Sequence, residues 1–511
     1  MKCIDGALTA KIDEYASRKQ KLSHRVLMGN AGRFIADTVA KDAKIGARFL
    51  FFCGGGNNGG DGYAAAVTLA ERGYKAYAID VTESGQRSDA GQYYLALYKK
   101  KIGIPISYLD IDEETLAEYA EGSHAVIEAV YGTGFSPDKP LPEAISTTLR
   151  LLNGLHYPKK FAVDIPAGVC SRSGAAIENA FHADVTLALS FPKRGIYLHP
   201  GCLYAGKIIA SAIGIDLTRA AEVFTLTDEA LDDACIRRFL PQRRVDMHKG
   251  DGGNAMMLAG SHLYPGAAML AAEAALRTGA GYVHLVSDAS VTQAAVARTP
   301  SLLVTTIEND KELLPIEKQA SALLVGCGTG RRPSLLPLID HLLSTEGCPL
   351  ILDADALNLL SEDPNAVKPK LKAARREVLV TPHPKEFSRL SGLSLDEVTR
   401  DRYRVARSFA DECGVHLLLK GTATVIAAKD GRTFINTTGN DALAKAGSGD
   451  VLAGVILSFV AQGASLPEAA ACAAYLHGKA GERLSKRYST YGVLPQELPA
   501  AIAESIAEIL Q

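Results

Sequence analysis

ARFLFFCGGGNNGGDGYAAAVTLAERG, Ala47 to Gly73, decides the fold. ARFLFFC is an apolar run of strand length, and AAAVTLAERG has the composition of a helix. Between them lies the glycine-rich segment Gly54 to Tyr63, whose first six residues fit G-x-G-x-x-G. Asp80 follows about 20 residues later, at the end of KAYAID, and completes the pattern of a dinucleotide-binding fingerprint. Such a loop turns backbone N–H groups toward an anion at a helix N-terminus. Its glycines, at 54, 55, 56, 59, 60 and 62, read as positions permitting positive φ and close approach of a ligand. Asn57, Asn58 and Asp61 do not belong to a plain phosphate loop. They add side-chain oxygens suited to a hard cation or to the hydroxyl and amide groups of a polar ligand.

Working outward, apolar runs of strand length alternate with segments of helical period. In the first half the strands are expected at 47–53, 75–80, 104–108, 124–130, 160–164 and 184–189, with helices at 63–72, 88–101 and 141–152. This βαβ rhythm predicts a mainly parallel sheet covered on both faces, preceded by an amphipathic helical lead-in over 9–41. At 215–230 the rhythm stops in a charged passage that reads as a boundary without a buried strand. It restarts with expected strands at 254–260, 282–287, 322–328, 349–355, 377–383 and 416–421. TATVIAA and RTFINTT read as an antiparallel hairpin, and an Ala-rich helical region runs from 449 onward. Two α/β domains are expected, at 1–220 and 228–511.

Composition sets limits. At 511 residues the chain exceeds what one core organises. A net charge of -2 gives no sign of a polyanion-binding surface, so no nucleic-acid partner is expected. The nine cysteines are scattered without metal-ligand spacing and read as reduced thiols. No run approaches the ~18 apolar residues of a membrane span, and the start lacks an apolar signal core. A soluble, cytoplasmic protein without a membrane partner is expected.

Other strand ends of the first half carry similar material. VIEAVYGTGF places Glu128 on a strand before the turn Gly132-Thr133-Gly134. FAVDIPAGV ends a strand in Asp164, with Ala167 and Gly168 beyond, and ADVTLALSFPKRG leads from Thr186 to Lys193. In a parallel sheet these ends open on one edge, where ligands of such folds bind. NNGGDG, YGTG, DIPAG, VTLALSFPKRG and the MGNAGR lead-in at 28–33 together resemble the NAD(P)H-hydrate epimerase domain of the YjeF N-terminal family. The resemblance implies a Rossmann-like domain that interconverts the R and S epimers of hydrated NADH or NADPH and binds a potassium ion. It implies a substrate site at Asn57, Asn58, Gly59, Gly60 and Asp61 and at the turn 132–138 with Gly132, Thr133 and Gly134. It makes Asp164 the acid/base candidate, with Asn58, Glu128 and Ala167 at the cation. Glu128 stands where the family usually has Asp, and Ala167 where it usually has Ser.

In the second half, NDALAKAGSGDVLAGVILSF (440–459) carries the strongest signal. Gly447, Ser448 and Gly449 form a turn at the start of an apolar helix, a geometry that stabilises charge on a transferred phosphoryl group. Asp450, at the same helix start, can accept a proton from a substrate hydroxyl. HKGDGGNAMMLAGS, VGCGTG, LILDADAL, VTPHPKEFSRL, LLKGTATVI and GNDALAKAGSGD occur in the order of the ADP-dependent NAD(P)H-hydrate dehydratases, the ribokinase-like YjeF C-terminal family. That resemblance implies phosphorylation of the ring hydroxyl by ADP with magnesium, then loss of phosphate to regenerate NAD(P)H. Lys420, Gly421 and Thr424 would contact the adenine nucleotide and Gly447, Ser448 and Gly449 its phosphates. Asp450 would deprotonate the hydroxyl, and Gly328 and His383 would contact the hydrated dinucleotide. Cys327 stands where the family commonly has Pro, and no metal or nucleophile role is expected of it. Assembly as a homo-oligomer is expected. The rival readings are a kinase of a small alcohol on the same fold, and a non-catalytic binding or interaction module in the first half.

Overall fold

The computed structural model describes residues 1–82, 87–137, 139 and 141–511. The chain packs as two compact units, Lys2–Asp228 and Glu229–Gln511 together with Met1.

Among the described residues the first unit holds seven strands: β1 (Arg48–Cys53), β2 (Lys75–Asp80), β3 (Ile106–Ser107), β4 (Ala125–Ala129), β5 (Lys159–Val163), β6 (Val185–Leu189) and β7 (Lys207–Ser211). Their order is β3-β2-β1-β4-β5-β6-β7, every neighbouring pair parallel. The apolar run of β1 serves two cores. Phe49, Phe51 and Cys53 face the helices His24–Val39 and Asn57–Glu71, while Leu50 and Phe52 face the helices Glu113–Glu121 and Glu143–Gly154. A continuous hydrophobic run is what a central parallel strand buried on both faces requires. The strand order reverses between β1 and β4, so their carboxyl ends diverge into a crevice at the topological switch point.

In the second unit the strands β8 (Asp228–Ala230), β9 (Asn254–Leu258), β10 (Tyr282–Ser287), β11 (Leu303–Thr306), β12 (Ala322–Val325), β13 (Leu350–Leu352), β14 (Val378–Val380), β15 (His416–Leu419), β16 (Val425–Ala427) and β17 (Thr433–Ile435) form one sheet. Its order is β11-β10-β9-β12-β13-β14-β15-β16-β17-β8. Pairing is parallel from β11 to β15, and β15, β16 and β17 pair antiparallel as the hairpin reading expects. The reversal here falls between β9 and β12. The helix Ser448–Ala461 is buried continuously from Val451 to Ala461. It crosses the helix Pro265–Arg277 so closely that a Cβ on Gly454 would lie 2.0 Å from the Ala271 carbonyl oxygen.

Several expectations change. The passage 215–230 contains the helix Leu217–Val223 and ends in β8, which is short but fully buried, because its charged residues are paired. Asp228 meets the Arg194 guanidinium at 2.6 Å, and Glu229 meets Arg238 at 2.7 Å. The strands β7 and β11 lie outside the predicted set. The lead-in is two helices, Thr9–Gln20 and His24–Val39, and the C-terminal region three, Ser448–Ala461, Leu466–Gly492 and Leu498–Leu510. The helix expected from 63 starts at Asn57, so NNGGDG is its first turn and a half.

The glycines of that segment also act differently from the reading that they permit positive φ. None of Gly54, Gly55, Gly56, Gly59, Gly60 and Gly62 is among the positive-φ glycines. Four of them are required by proximity. A Cβ on Gly54 would lie 2.1 Å from the Val130 carbonyl oxygen, and one on Gly59 2.0 Å from that of Gly54. On Gly60 it would meet Met28 at 2.6 Å, and on Gly62 Cys53 Sγ at 2.9 Å. A Cβ on Gly56 would meet nothing within 4 Å. Gly59→Ala should therefore destabilise the first unit by about 1–3 kcal/mol or more, as overpacking against backbone does, while Gly56→Ala stays within about 0.5 kcal/mol. Thermal melts of the two variants check this.

Candidate active sites

The first site forms where β1, β4 and β5 end. Asn58 is buried on the helix Asn57–Glu71, and its Nδ2 donates to the Val163 carbonyl at 3.1 Å. Its Oδ1 is buried without a hydrogen-bond partner. A Cβ placed on Gly132 would sit 3.4 Å from Asp164 Oδ2 and 3.6 Å from Asn58 Cγ, so these three residues line one recess. Asn57 is exposed and accepts from Ser88 Oγ at 2.5 Å. Thr133 and Gly134 follow in the turn after β4, and Asp138 of the expected substrate turn lies outside the described residues.

Asp164 is held rigidly. Its backbone has φ 68°, its N–H donates to the Leu187 carbonyl at 2.8 Å, and its Oδ1 accepts from the Leu189 N–H at 3.3 Å and from the Lys193 ammonium. Lys193 is fully buried and also donates to the Leu189 carbonyl at 2.9 Å. Backbone in the left-handed region costs an L-residue energy and persists where surrounding contacts impose it. Burial and the charges of Asp164 and Asp13 push the Asp61 carboxyl well above the usual carboxylate range.

The three cation candidates separate by geometry. Asn58 offers an uncommitted buried oxygen. Both Glu128 oxygens are engaged, accepting from the N–H of Val130 at 2.7 Å and of Ala167 at 3.0 Å, and burial raises its carboxyl to about 8. The Ala167 carbonyl accepts from the Phe181 N–H at 2.9 Å. The carbonyl, the one side of Ala167 that could meet an ion, therefore already accepts one hydrogen bond. Among the described residues no three His, Cys, Asp or Glu side chains cluster as a metal site. Asp80, the acidic member of the fingerprint, is bound by Arg87 at 2.6 Å and by Thr82.

The second site gathers at the carboxyl ends of β12 to β15 and the start of the helix Ser448–Ala461. Gly447 caps that helix with φ 95°, where a Cβ would strike Leu270 at 2.6 Å. The free N–H groups of the first turn and the helix dipole make the cap an anion site. A Cβ on Gly449 would lie 3.7 Å from Lys420 Nζ, which brings a cation to the same place. Lys420 Nζ donates to Asp353 Oδ1 at 2.8 Å. Burial works against its charge, and Asp353 and Glu386 outweigh that and raise its pKa. For Asp450, burial and then the like charge of Asp353 raise the carboxyl to about 6, opposed by a hydrogen bond from the Cys327 thiol and by Lys420. Cys327 also lies 3.9 Å from Asp353 Oδ2, and burial pushes its own thiol far up, as befits a neutral donor with no nucleophilic role.

The remaining predicted residues have structural duties as well. Gly328 has φ 64°, and a Cβ there would meet Ala267 at 2.6 Å. Gly421 has φ 139°, in a loop whose carbonyls at Leu419, Lys420 and Thr422 accept from Arg402. Thr424 Oγ1 donates to the Gly421 carbonyl at 2.9 Å. His383 is the N-cap of the helix Pro384–Ser391. Its Nδ1 accepts from the N–H of Lys385 and Glu386, which leaves the half-exposed Nε2 facing Glu386 Oε1 at 3.3 Å and the solvent side. Burial, with the nearby Lys420 and Arg389, lowers its pKa, so it is neutral.

Sequence reading gave no role to Asp353, Glu386 or His477. Asp353 is signalled by LILDAD at a strand end and Glu386 by the capping spacing H-P-K-E. His477 carried no local signal: it reaches Ser448 Oγ at 3.1 Å from the helix Leu466–Gly492, 29 residues away, and burial lowers it to about 4.

The fold and these two sites define a two-unit α/β protein with a glycine-lined crevice at the switch point of one sheet and a glycine-capped helix start beside the other. Residues 24–195 match the YjeF-related protein N-terminus, and residues 255–504 match the NAD(P)H-hydrate dehydratase family. The bifunctional NAD(P)H-hydrate repair enzyme of Moorella thermoacetica is 31% identical over 513 residues, 98% of this chain and 95% of its own length. The protein of the same name from Escherichia coli strain K12 is 31% identical over 480 residues, covering 92% and 87%. A ribokinase-like superfamily protein from Enterococcus faecalis V583 superposes with TM-score 0.50 at 28% identity, covering 55% of this chain and 96% of that one. The chain belongs to the family of bifunctional NAD(P)H-hydrate repair enzymes. Carbon-13 NMR of aspartate-labelled protein, assigned with Asp450→Asn, should place the Asp450 midpoint near 6, against an ordinary 3.8. Cys327→Ala removes a donor to the charged form and should move it higher.

Proposed function

We propose that the first unit epimerises the R and S forms of NAD(P)H hydrate and that the second dehydrates the S epimer with ADP, releasing AMP and phosphate. The observation that carries this reading is the pairing of two unlike sites on one chain. The crevice of the first unit brings carboxyls and an amide together, and the second unit has a glycine-capped helix start with a lysine and a carboxylate beside it.

In the second unit the nucleotide phosphates would lie at Gly447, Ser448 and Gly449 with Lys420, and the adenosine near Gly421 and Thr424. The helix start and Lys420 would neutralise charge on the transferred group. Magnesium would arrive with those phosphates and screen them. Asp450 would take the proton of the ring hydroxyl, with Gly328 and His383 against the hydrated dinucleotide. A base with a pKa near 6 is ionised at neutral pH and remains strong enough to accept that proton.

In the first unit Asn58, Gly59, Gly60 and Asp61 with Gly132, Thr133 and Gly134 would surround the hydrated ring, and Asn57, exposed, would meet the outer part of the dinucleotide. Asp164 would handle its protons. Asn58 Oδ1 is the oxygen that fits a potassium ion, which would supply fixed positive charge to the substrate. Glu128 would act by tying the loops after β4 and β5 together through Val130 and Ala167. We place the protein in the cytoplasm as a homo-oligomer, where its substrates form.

Dehydration of the S epimer should fall as pH drops through about 6, because Asp450 must be ionised to act. Asp450→Asn should lower that rate by about 10²–10⁴-fold while epimerisation continues, and Asp164→Asn should do the reverse. Chromatography of the two epimers of hydrated NADH, with and without ADP, separates these outcomes. Full dehydration by Asp450→Asn would remove Asp450 from the mechanism.

A further inference from the structure

Asp353 takes no part in the chemistry proposed above, yet the fold fixes it closely. It follows β13, is 2% exposed, and its Oδ1 accepts from the Lys420 ammonium at 2.8 Å and from the Ala354 N–H at 2.9 Å. Its backbone is held as well. The N–H donates to the Val325 carbonyl at 3.2 Å, and the carbonyl accepts from the Ala356 N–H at 3.1 Å. A Cβ on Gly326 would lie 2.0 Å from that same carbonyl oxygen. Ala354, the next residue, has φ 46°, left-handed backbone that costs an L-residue energy and persists where the surroundings impose it. Lys420 is anchored at its own backbone, donating to the Pro382 carbonyl at 2.9 Å and accepting from Arg402 at 3.0 Å. Its side chain is a flexible stem ending in three N–H donors. The ammonium reaches Asp353 and also lies 3.7 Å from where a Cβ on Gly449 would stand, one residue before Asp450.

We propose that Asp353 is a positioning residue for phosphoryl transfer: it holds the Lys420 ammonium at the start of the helix Ser448–Ala461 and keeps it off Asp450. The proposal rests on reading the second unit as the dehydratase. A lysine free to move at that helix start has two carboxylates within its range. Paired with Asp450, it would stabilise the ionised base and weaken it as a proton acceptor. Paired with Asp353, it keeps one place and has two N–H bonds left for phosphate oxygens. The charges around the pair fit this division. Asp353 and Asp355 act to raise the Asp450 carboxyl, against the Cys327 thiol and Lys420. Lys420 in turn is supported by Asp353, Glu386 and Cys327. Asp353 thus acts on both the cation and the base, while its own hydrogen bonds tie it to the cation.

The test follows conversion of the purified S epimer of hydrated NADH to NADH by the full chain, with ADP and magnesium, on both sides of the Asp450 midpoint near 6. Asp353→Asn keeps the shape and the acceptor for the Ala354 N–H but removes the charge. It should lower kcat by about tenfold or more with KM for ADP changed less than about threefold, since losing a carboxylate does not repel the phosphates. The acid limb of kcat should move to lower pH by about half a unit or more, as Asp450 loses one like charge and gains the lysine. An ion pair that only ties β13 to β15 would instead raise KM for ADP and lower the melting temperature, with the acid limb in place. The double variant Asp353→Asn, Lys420→Met removes both charges and serves where Asp353→Asn does not fold. At neutral pH it should stay within about threefold of Lys420→Met alone, because Asp353 acts through Lys420. A kcat for Asp353→Asn within about threefold of wild type, or a further loss of about tenfold in the double variant, would overturn the proposal. An unmoved acid limb in a folded Asp353→Asn would overturn it as well. Wild-type protein without ADP-dependent conversion of the S epimer would instead overturn the dehydratase reading, and the proposal with it.

Discussion

The approach of one helix to one strand end governs the first site. The helix Asn57–Glu71 begins so close to the end of β1 that Gly59 has only 2.0 Å between its missing Cβ and the Gly54 carbonyl oxygen. Gly54 in turn leaves no room against Val130 after β4. This backbone-to-backbone closeness brings Asn58 within reach of the Val163 carbonyl. A side chain at either glycine would push the helix outward and separate the amide from the strand ends. The second unit uses the same device at Gly454, where the helix bearing Asp450 rests on the Ala271 carbonyl.

Much of this was legible in the sequence because strands buried on both faces write themselves as uninterrupted apolar runs. ARFLFFC and NAMML could be placed for that reason. The edge strand β11 is largely exposed, and β7 and β8 carry lysine or paired acids, so none of them reads as a buried run. The glycine motif gave the right location and the wrong cause: six glycines suggested unusual dihedrals, whereas four of them answer a lack of space. Sequence distinguishes these poorly, because the neighbour that fills the space, such as Met28 against Gly60, is remote in the chain.

The site residues divide along the same line. Residues at strand ends inside local motifs, such as Asp164, Asp450 and Lys420, could be picked out directly. Partners that act across the fold could not. Lys193 is visible as a lysine in FPKRG, but nothing local says that it is buried against Asp164. Asp13 comes from a helix over a hundred residues earlier, and His477 meets Ser448 only because a later helix folds back over the phosphate cap. In the cation set, Glu128 and Ala167 also tie the loops together through their polar atoms, and each of these oxygens keeps a further lone pair.

We propose that the two units carry separate chemistries linked by a diffusible epimer. Mixing the Asp164→Asn and Asp450→Asn variants tests it directly. With ADP and an equal mixture of R and S hydrated NADH, the mixed variants should convert both epimers completely to NADH. Each variant alone should fall short of that: Asp450→Asn should leave both epimers unconverted, and Asp164→Asn should leave the R epimer to its spontaneous rate. Persistence of the R epimer in the mixture at that spontaneous rate would contradict the account.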